Sequence, residues 1–260
     1  MRWLKTGAPD APPGVRVDAF EVLREGRRIP GLLWRPMQAH GPVALVLVQH
    51  GGSGHKGDAS VLELVDALCA RGLSVVAIDG LIHGDRRTLP PAGREALLQQ
   101  FLAFWQTVGG ERETLVADWL HVIDALGAVD GLANAVLGWC GLSMGTAYGM
   151  TVVARCPSMR AAVLGKWSAT HANSRHLLSD AAQVKAATLF VQHWDDELFD
   201  RQGTLDVFSA LATPDKRLVV YPGAHFGRSP EELALTVDFL VQRLRGAAQA
   251  DPMAQPCLRV

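Results

Sequence analysis

The stretch Ala135-Val136-Leu137-Gly138-Trp139-Cys140-Gly141-Leu142-Ser143-Met144-Gly145-Thr146-Ala147-Tyr148-Gly149-Met150-Thr151-Val152-Val153 decides how the chain is read. Its first six residues form a mostly apolar run of strand length, and the residues from Thr146 to Arg155 suit a helix. Between them lies Gly-x-Ser-x-Gly, a weak pattern by itself in a chain with 26 glycines. The flanking strand and helix give it weight. A serine on a sharp strand-to-helix turn has its Oγ pushed out at the head of a sheet, and the helix N-terminus brings partial positive charge to any anion forming there. Ser143 therefore reads as a nucleophile, against the plainer reading of a serine that only caps the helix.

Outward from this elbow the chain alternates. Upstream, Val43 to Val48 is a continuous apolar run, as expected of a strand covered on both faces. Val61, Leu64, Val65, Leu68 and Cys69 then fall on one helical stripe that Arg71-Gly72 ends, and Leu73 to Ile78 is another buried strand. A helix is expected around Leu115, Trp119, Val122, Ile123 and Leu126. Downstream, strands are expected at Ala161 to Leu164, Thr188 to His193 and Arg217 to Tyr221. The last helix is marked by Ser229-Pro230-Glu231-Glu232, an N-cap, a proline at the first helical position and a capping-box glutamate. At the start, Val15 to Leu23 and Ile29 to Trp34 read as an antiparallel pair joined by the turn Arg24 to Arg28. The expected fold class is α/β, a mostly parallel doubly wound sheet with antiparallel N-terminal strands, whose ligands bind at the carboxyl ends of the strands.

A serine hydroxyl needs a base, and the base needs a group that fixes its tautomer. The strand Thr188 to His193 runs into Trp194-Asp195-Asp196-Glu197, and Asp196 is preferred over Asp195 as the acid because it leaves two residues for the turn. Either aspartate has a plainer reading as a cap for a helix starting near Asp200. The strand Arg217 to Tyr221 runs into Pro222-Gly223-Ala224-His225-Phe226-Gly227, which makes His225 the expected base and completes the order Ser, Asp, His. The N–H of Met144 is one expected oxyanion donor, with another from the loop His50-Gly51-Gly52-Ser53-Gly54-His55. That loop also contains a decoy. Gly52, Gly54 and Gly57 make a GxGxxG with Asp79 about 20 residues on, the fingerprint of a dinucleotide site. His50-Gly51 intervenes between strand and fingerprint, however, and this reading leaves Ser143, Asp196 and His225 without a role.

From His50-Gly51-Gly52 through Gly141-Leu142-Ser143-Met144-Gly145 and Asp196 to His225, the residues resemble the α/β-hydrolase superfamily over nearly the whole chain. Asp79-Gly80-Leu81-Ile82-His83-Gly84-Asp85-Arg86 and the compact spacing look like bacterial esterases related to dienelactone hydrolases and acetyl esterases. The resemblance implies an oxyanion loop of HGx type with Gly52 as second donor, and a carboxylic ester hydrolase that forms an acyl-enzyme. The chain departs from the dienelactone hydrolases in carrying a serine where they have a cysteine nucleophile. An amidase or peptidase needs the same triad. A non-catalytic small-molecule receptor and a dinucleotide-binding oxidoreductase are the readings from other classes.

The composition is consistent with one domain over residues 1–245, with 246–260 as an extension. Some 48% of the 260 residues are apolar and the formal charge is −1, so no attraction to nucleic acid or anionic membrane is implied and a small-molecule ester is the expected partner. No signal-peptide pattern or spanning run is seen, and unpaired cysteine spacing favours a reducing compartment, so a cytoplasmic location is expected. No cofactor or metal is expected: His50, His55, His83, His193 and Asp79 fall near strand ends, but without metal-ligand spacing. The oligomeric state is left open, a homodimer included. Residues 85–111 carry Leu97, Leu98, Phe101, Leu102, Phe104 and Trp105, read equally as a small flap over the site or as ordinary packing. Lys166-Trp167 and Trp194 follow strand ends and are candidates for lining an apolar acyl or alcohol pocket.

Overall fold

The computed structural model describes residues 1–4, 11–38, 43–88 and 93–246. Most of the extension read at 246–260 lies outside these residues. In chain order the elements are β1 (Arg2–Trp3), β2 (Val15–Arg24), β3 (Arg27–Pro36), β4 (Ala44–Val48), α1 (Ala59–Ala70), β5 (Ser74–Ile78), α2 (Arg94–Val108), α3 (Arg112–Gly127), β6 (Val136–Cys140), α4 (Met144–Arg155), β7 (Met159–Gly165), α5 (His176–Ala181), β8 (Ala187–His193), α6 (Arg201–Ala210), β9 (Lys216–Tyr221) and α7 (Pro230–Arg245). The strands form one sheet in the order β1-β2-β3-β5-β4-β6-β7-β8-β9. β1, β2 and β3 are antiparallel, β3 meets β5 antiparallel, and every pairing from β5 to β9 is parallel.

The first hairpin is tighter than its sequence suggests. The turn is only Glu25-Gly26, both in the left-handed region at φ 50° and 76°, which matches the twist of the two strands and lets each run to ten residues. The charged Arg24, Arg27 and Arg28 thus belong to the strands, where Arg24 reaches the buried Asp118 of α3 at 3.2 Å.

Alternation along each central strand supplies two cores. Leu45 and Leu47 of β4 face a cluster that includes Trp119, Trp139 and Tyr148, whereas Ala44, Val46 and Val48 face α1 and α7 through Val65, Leu68 and Leu240. β4 has β5 on one side and β6 on the other, so the chain reverses its direction of winding there. The loops after β4 and β6 therefore open side by side, with Val48 opposite Cys140 and Gln49 N–H donating to Cys140 O at 3.1 Å.

Candidate active site

Ser143 sits at the corner between β6 and α4 with φ 56° and ψ −120°, a conformation that a non-glycine residue adopts only under strain. Two glycines make the corner possible. A Cβ on Gly145 would come within 2.8 Å of Gln49 O, and one on Gly141 within 2.9 Å of the Gly145 Cα. Ser143 Oγ makes no capping bond to α4. It lies 3.0 Å from His225 Nε2 instead.

His225 Nδ1 is 2.8 Å from Asp196 Oδ2, and the other carboxylate oxygen accepts from the N–H groups of Leu198 at 2.9 Å and Phe199 at 3.0 Å. A carboxylate only accepts, so Nδ1 carries the ring hydrogen and Nε2 is left to accept from the Ser143 hydroxyl. Burial by itself raises the Asp196 pKa, but its bonding to His225 and the two backbone donors outweigh it and hold the carboxyl below its ordinary value. Asp195 points elsewhere: its carboxylate accepts from Gly223 N–H at 3.2 Å. The helix near Asp200 is capped by Asp200 itself, which accepts from Gly203 N–H.

On the other side of Ser143, neither Gly52 N–H nor Met144 N–H donates to a protein acceptor among the described residues. The Gly52 loop is held from beneath by two histidines. His50 accepts from Gly80 N–H at 2.9 Å and donates to Gly51 O at 2.8 Å, while His83 donates to Gly52 O at 3.0 Å. Burial pushes His50 down to about 4 and His83 down to about 3, so both rings are neutral at ordinary pH. Asp79 is likewise committed internally: it accepts from Lys56 N–H at 3.0 Å, Lys56 Nζ at 2.7 Å and Asp85 N–H at 2.8 Å. A ribose would have to displace that buried ion pair. Among the described residues no group of three or more His, Cys, Asp or Glu is placed to hold a metal.

Ser143, His225 and Gly52 line a cavity of about 790 Å³, together with Leu98, Lys166 and Phe226. The segment 85–111 reaches the cavity through its helix. Most of it forms α2, whose buried Phe101 and Trp105 pack into the core beside Tyr148 and Trp167, while Leu98 borders the cavity. Phe101 lies so close to Gly52 that a Cβ there would fall 2.5 Å from its ring. The two tryptophans do not line the cavity. Trp167 is fully buried and donates to Ser174 Oγ at 2.9 Å, and Trp194 stands half exposed with the Arg201 guanidinium 3.7 Å over its ring. Of the three residues read as pocket candidates it is Lys166 that borders the cavity, and burial pushes its ammonium below its ordinary pKa.

The capping box of α7 is only half made. Ser229 Oγ accepts from Glu232 N–H at 3.1 Å, but the Glu232 carboxylate turns inward to His193 Nε2 at 2.9 Å instead of reaching back to the cap. The sequence signal for a capping glutamate is the same in both cases. Only a partner from β8 diverts it.

Residues 159–227, which include Asp196 and His225, match the X-Pro dipeptidyl-peptidase (S15) family. Among solved structures, a cold-adapted esterase from an Arctic intertidal metagenomic library is 33% identical with a TM-score of 0.82, covering 94% of this chain and 100% of its own. A dienelactone hydrolase from Anabaena variabilis is 22% identical at TM-score 0.68, covering 89% of this chain and all of its own. An acetyl xylan esterase from Paenibacillus sp. R4 is 18% identical at TM-score 0.69, over 92% of this chain and 88% of its own. These last two share the fold. No curated protein sequence matches the chain.

Proposed function

The chain belongs to the serine esterases of the α/β-hydrolase superfamily, and on that premise we propose that it cleaves carboxylic esters of small to medium size through an acyl-enzyme on Ser143. The observation that carries the reading is the continuous line of hydrogen bonds from Asp196 through His225 to Ser143 Oγ. His225 removes the hydroxyl proton as Oγ attacks the ester carbonyl, and Asp196 holds the ring in the tautomer that leaves Nε2 free to accept it. The negative charge on the former carbonyl oxygen is taken up by the N–H groups of Gly52 and Met144, both without another acceptor among the described residues, the second at the N-terminus of α4. His225 then returns the proton to the departing alkoxide. Water repeats the sequence on the acyl-enzyme, with His225 again as base. The rate falls in acid, because a protonated ring cannot take the serine proton.

The size of the cavity and its leucine-rich wall, Leu64, Leu98, Leu142 and Leu198, suit an acyl group of modest length. A peptidase reading rests on the S15 match at residues 159–227. p-Nitrophenyl esters of graded acyl length, assayed beside aminoacyl anilides, separate the two. Turnover of the esters with anilides untouched is expected, and the reverse overturns the esterase. A fluorophosphonate probe should label the folded wild type and not Ser143→Ala, whose kcat should fall on the order of 10⁶-fold.

A further inference from the structure

The loop that carries His225 is fixed by the run His193-Trp194-Asp195-Asp196-Glu197, and the first residue of that run has no place in the proposed chemistry. His193 Nδ1 is 2.6 Å from Ala224 O, the carbonyl directly before His225. A carbonyl only accepts, so Nδ1 must carry a hydrogen. His193 Nε2 faces Glu232 Oε2 at 2.9 Å, and a single proton bridges the two in either assignment. The pair is 5% and 1% exposed, and Glu232 stands in the first turn of α7, where the helix end favours a carboxylate. The same pattern recurs one layer closer to the nucleophile: an acid orients an imidazole whose opposite nitrogen acts on the next group, Asp196 on His225 and Glu232 on His193.

Burying a carboxylate and an imidazole at a strand end costs free energy that an apolar pair would not. What this pair does with its geometry is to hold one carbonyl, and that carbonyl belongs to the peptide unit that supplies the His225 nitrogen. The remaining tethers bracket it. His225 N–H donates to Glu197 Oε2 at 2.8 Å, Gly223 is bonded to Asp195 through both its N–H and its carbonyl, and Gly227 O accepts from Lys166 Nζ at 3.4 Å. The loop itself is short of packing: Pro222, Gly223, Ala224, Phe226 and Gly227 are exposed, and His225 is its buried member. Hydrogen bonds from beneath are therefore what sets the position of the ring.

We infer that His193 and Glu232 are positioning residues for the esterase reaction: Glu232 orients the His193 ring, and His193 Nδ1–H, through Ala224 O, holds His225 at the distance from Ser143 that proton transfer requires. The inference rests on the proposed roles of Ser143, Asp196 and His225. It adds a second acid–imidazole pair that stands apart from the reacting atoms, although Glu232 also borders the cavity. A shift of His225 by about 1 Å is enough to cost on the order of 100-fold in rate.

The test uses His193→Leu, which removes the donor, and His193→Asn, whose amide nitrogen stands near the former Nδ1 and restores a donor to Ala224 O. Glu232→Met and Glu232→Gln form the matching pair, the glutamine keeping an acceptor for His193. With p-nitrophenyl acetate, His193→Leu should lose about 10- to 100-fold in kcat with KM nearly unchanged. His193→Asn should recover most of the loss, and Glu232→Gln should exceed Glu232→Met. Fluorophosphonate labelling of Ser143 should slow in the same order, and each variant is assayed well below its thermal midpoint, so that loss of fold is not read as loss of positioning. A folded His193→Leu with wild-type kcat overturns the inference, as does a folded His193→Asn no better than the leucine variant. If His193→Leu does not fold, equal kcat for Glu232→Gln and Glu232→Met overturns it. Full activity in Ser143→Ala would instead sink the underlying reaction scheme.

Discussion

The two halves of the site are built by different physics. Ser143 is held chiefly by contact, since glycines at 141 and 145 admit backbone at distances no side chain permits, and the Gly52 loop is held by Phe101 pressing on it together with bonds from His50 and His83. Asp196 and His225 are held by directed hydrogen bonds along an exposed loop, with His193, Asp195 and Glu197 as the anchors. A packed half fails through volume. A bonded half fails through donor and acceptor identity. Substitutions that change one property and keep the other should therefore have opposite effects in the two halves.

The largest effect after loss of Ser143 itself is expected on the bonded side, at equal volume. Asp196→Asn keeps the shape but offers His225 Nδ1 a donor in place of an acceptor, which favours the wrong tautomer, and kcat should drop on the order of 10⁴-fold. Asp195→Asn should stay within about 10-fold, since it only has to accept from Gly223 N–H. Equal losses in the two variants would break the assignment of Asp196.

Next comes a change of volume alone. Gly145→Ala drives a methyl group against Gln49 O and should destabilise by about 1–3 kcal/mol, measured by urea unfolding, with a fall in kcat as the elbow shifts. An unchanged midpoint would mean that the corner is less tightly packed than its contacts require. On the bonded side Glu197→Gln still presents an oxygen to His225 N–H and should be nearly silent, whereas Glu197→Ala should lose about 2- to 10-fold in kcat. The last effect is a gradual one. His50 and His83 support the packed half as neutral rings, at about 4 and about 3. Below the ordinary histidine value of about 6.5 the unfolded chain takes up protons that the folded chain refuses, so stability falls as pH drops from there toward about 3. A thermal midpoint that stays flat between pH 6.5 and 4 would show that the Gly52 loop does not depend on these rings.

Much of the architecture was legible along the chain. The apolar runs at β4, β5, β6 and β8 have the lengths expected of doubly covered strands, and Ser229-Pro230 starts α7 at the expected residue. The predicted site residues Ser143, Asp196 and His225 each stand within four residues of a strand end, which is why their order could be read before their distances were known. The acids of α7 were less legible. Glu232 carries the pattern of a capping residue but serves His193, because the pattern is local and its competitor comes from another strand. Trp167 and Trp194 stood equally close to strand ends, and only the surroundings separate a buried core tryptophan from an exposed one under a guanidinium.

By itself the sequence determined the periodicity of its elements, the glycine-flanked elbow at Ser143 and the placing of Ser143, Asp196 and His225 after successive strands, because these depend on neighbours a few residues apart. The tertiary structure alone decided which carboxylate of Asp195 and Asp196 meets His225, that α2 docks Phe101 on Gly52, and that Glu232 turns from its helix cap to a histidine 39 residues away. Each of those outcomes is a competition among hydrogen bonds and contacts of similar strength. The winner is set by which groups the folded sheet brings within about 3 Å.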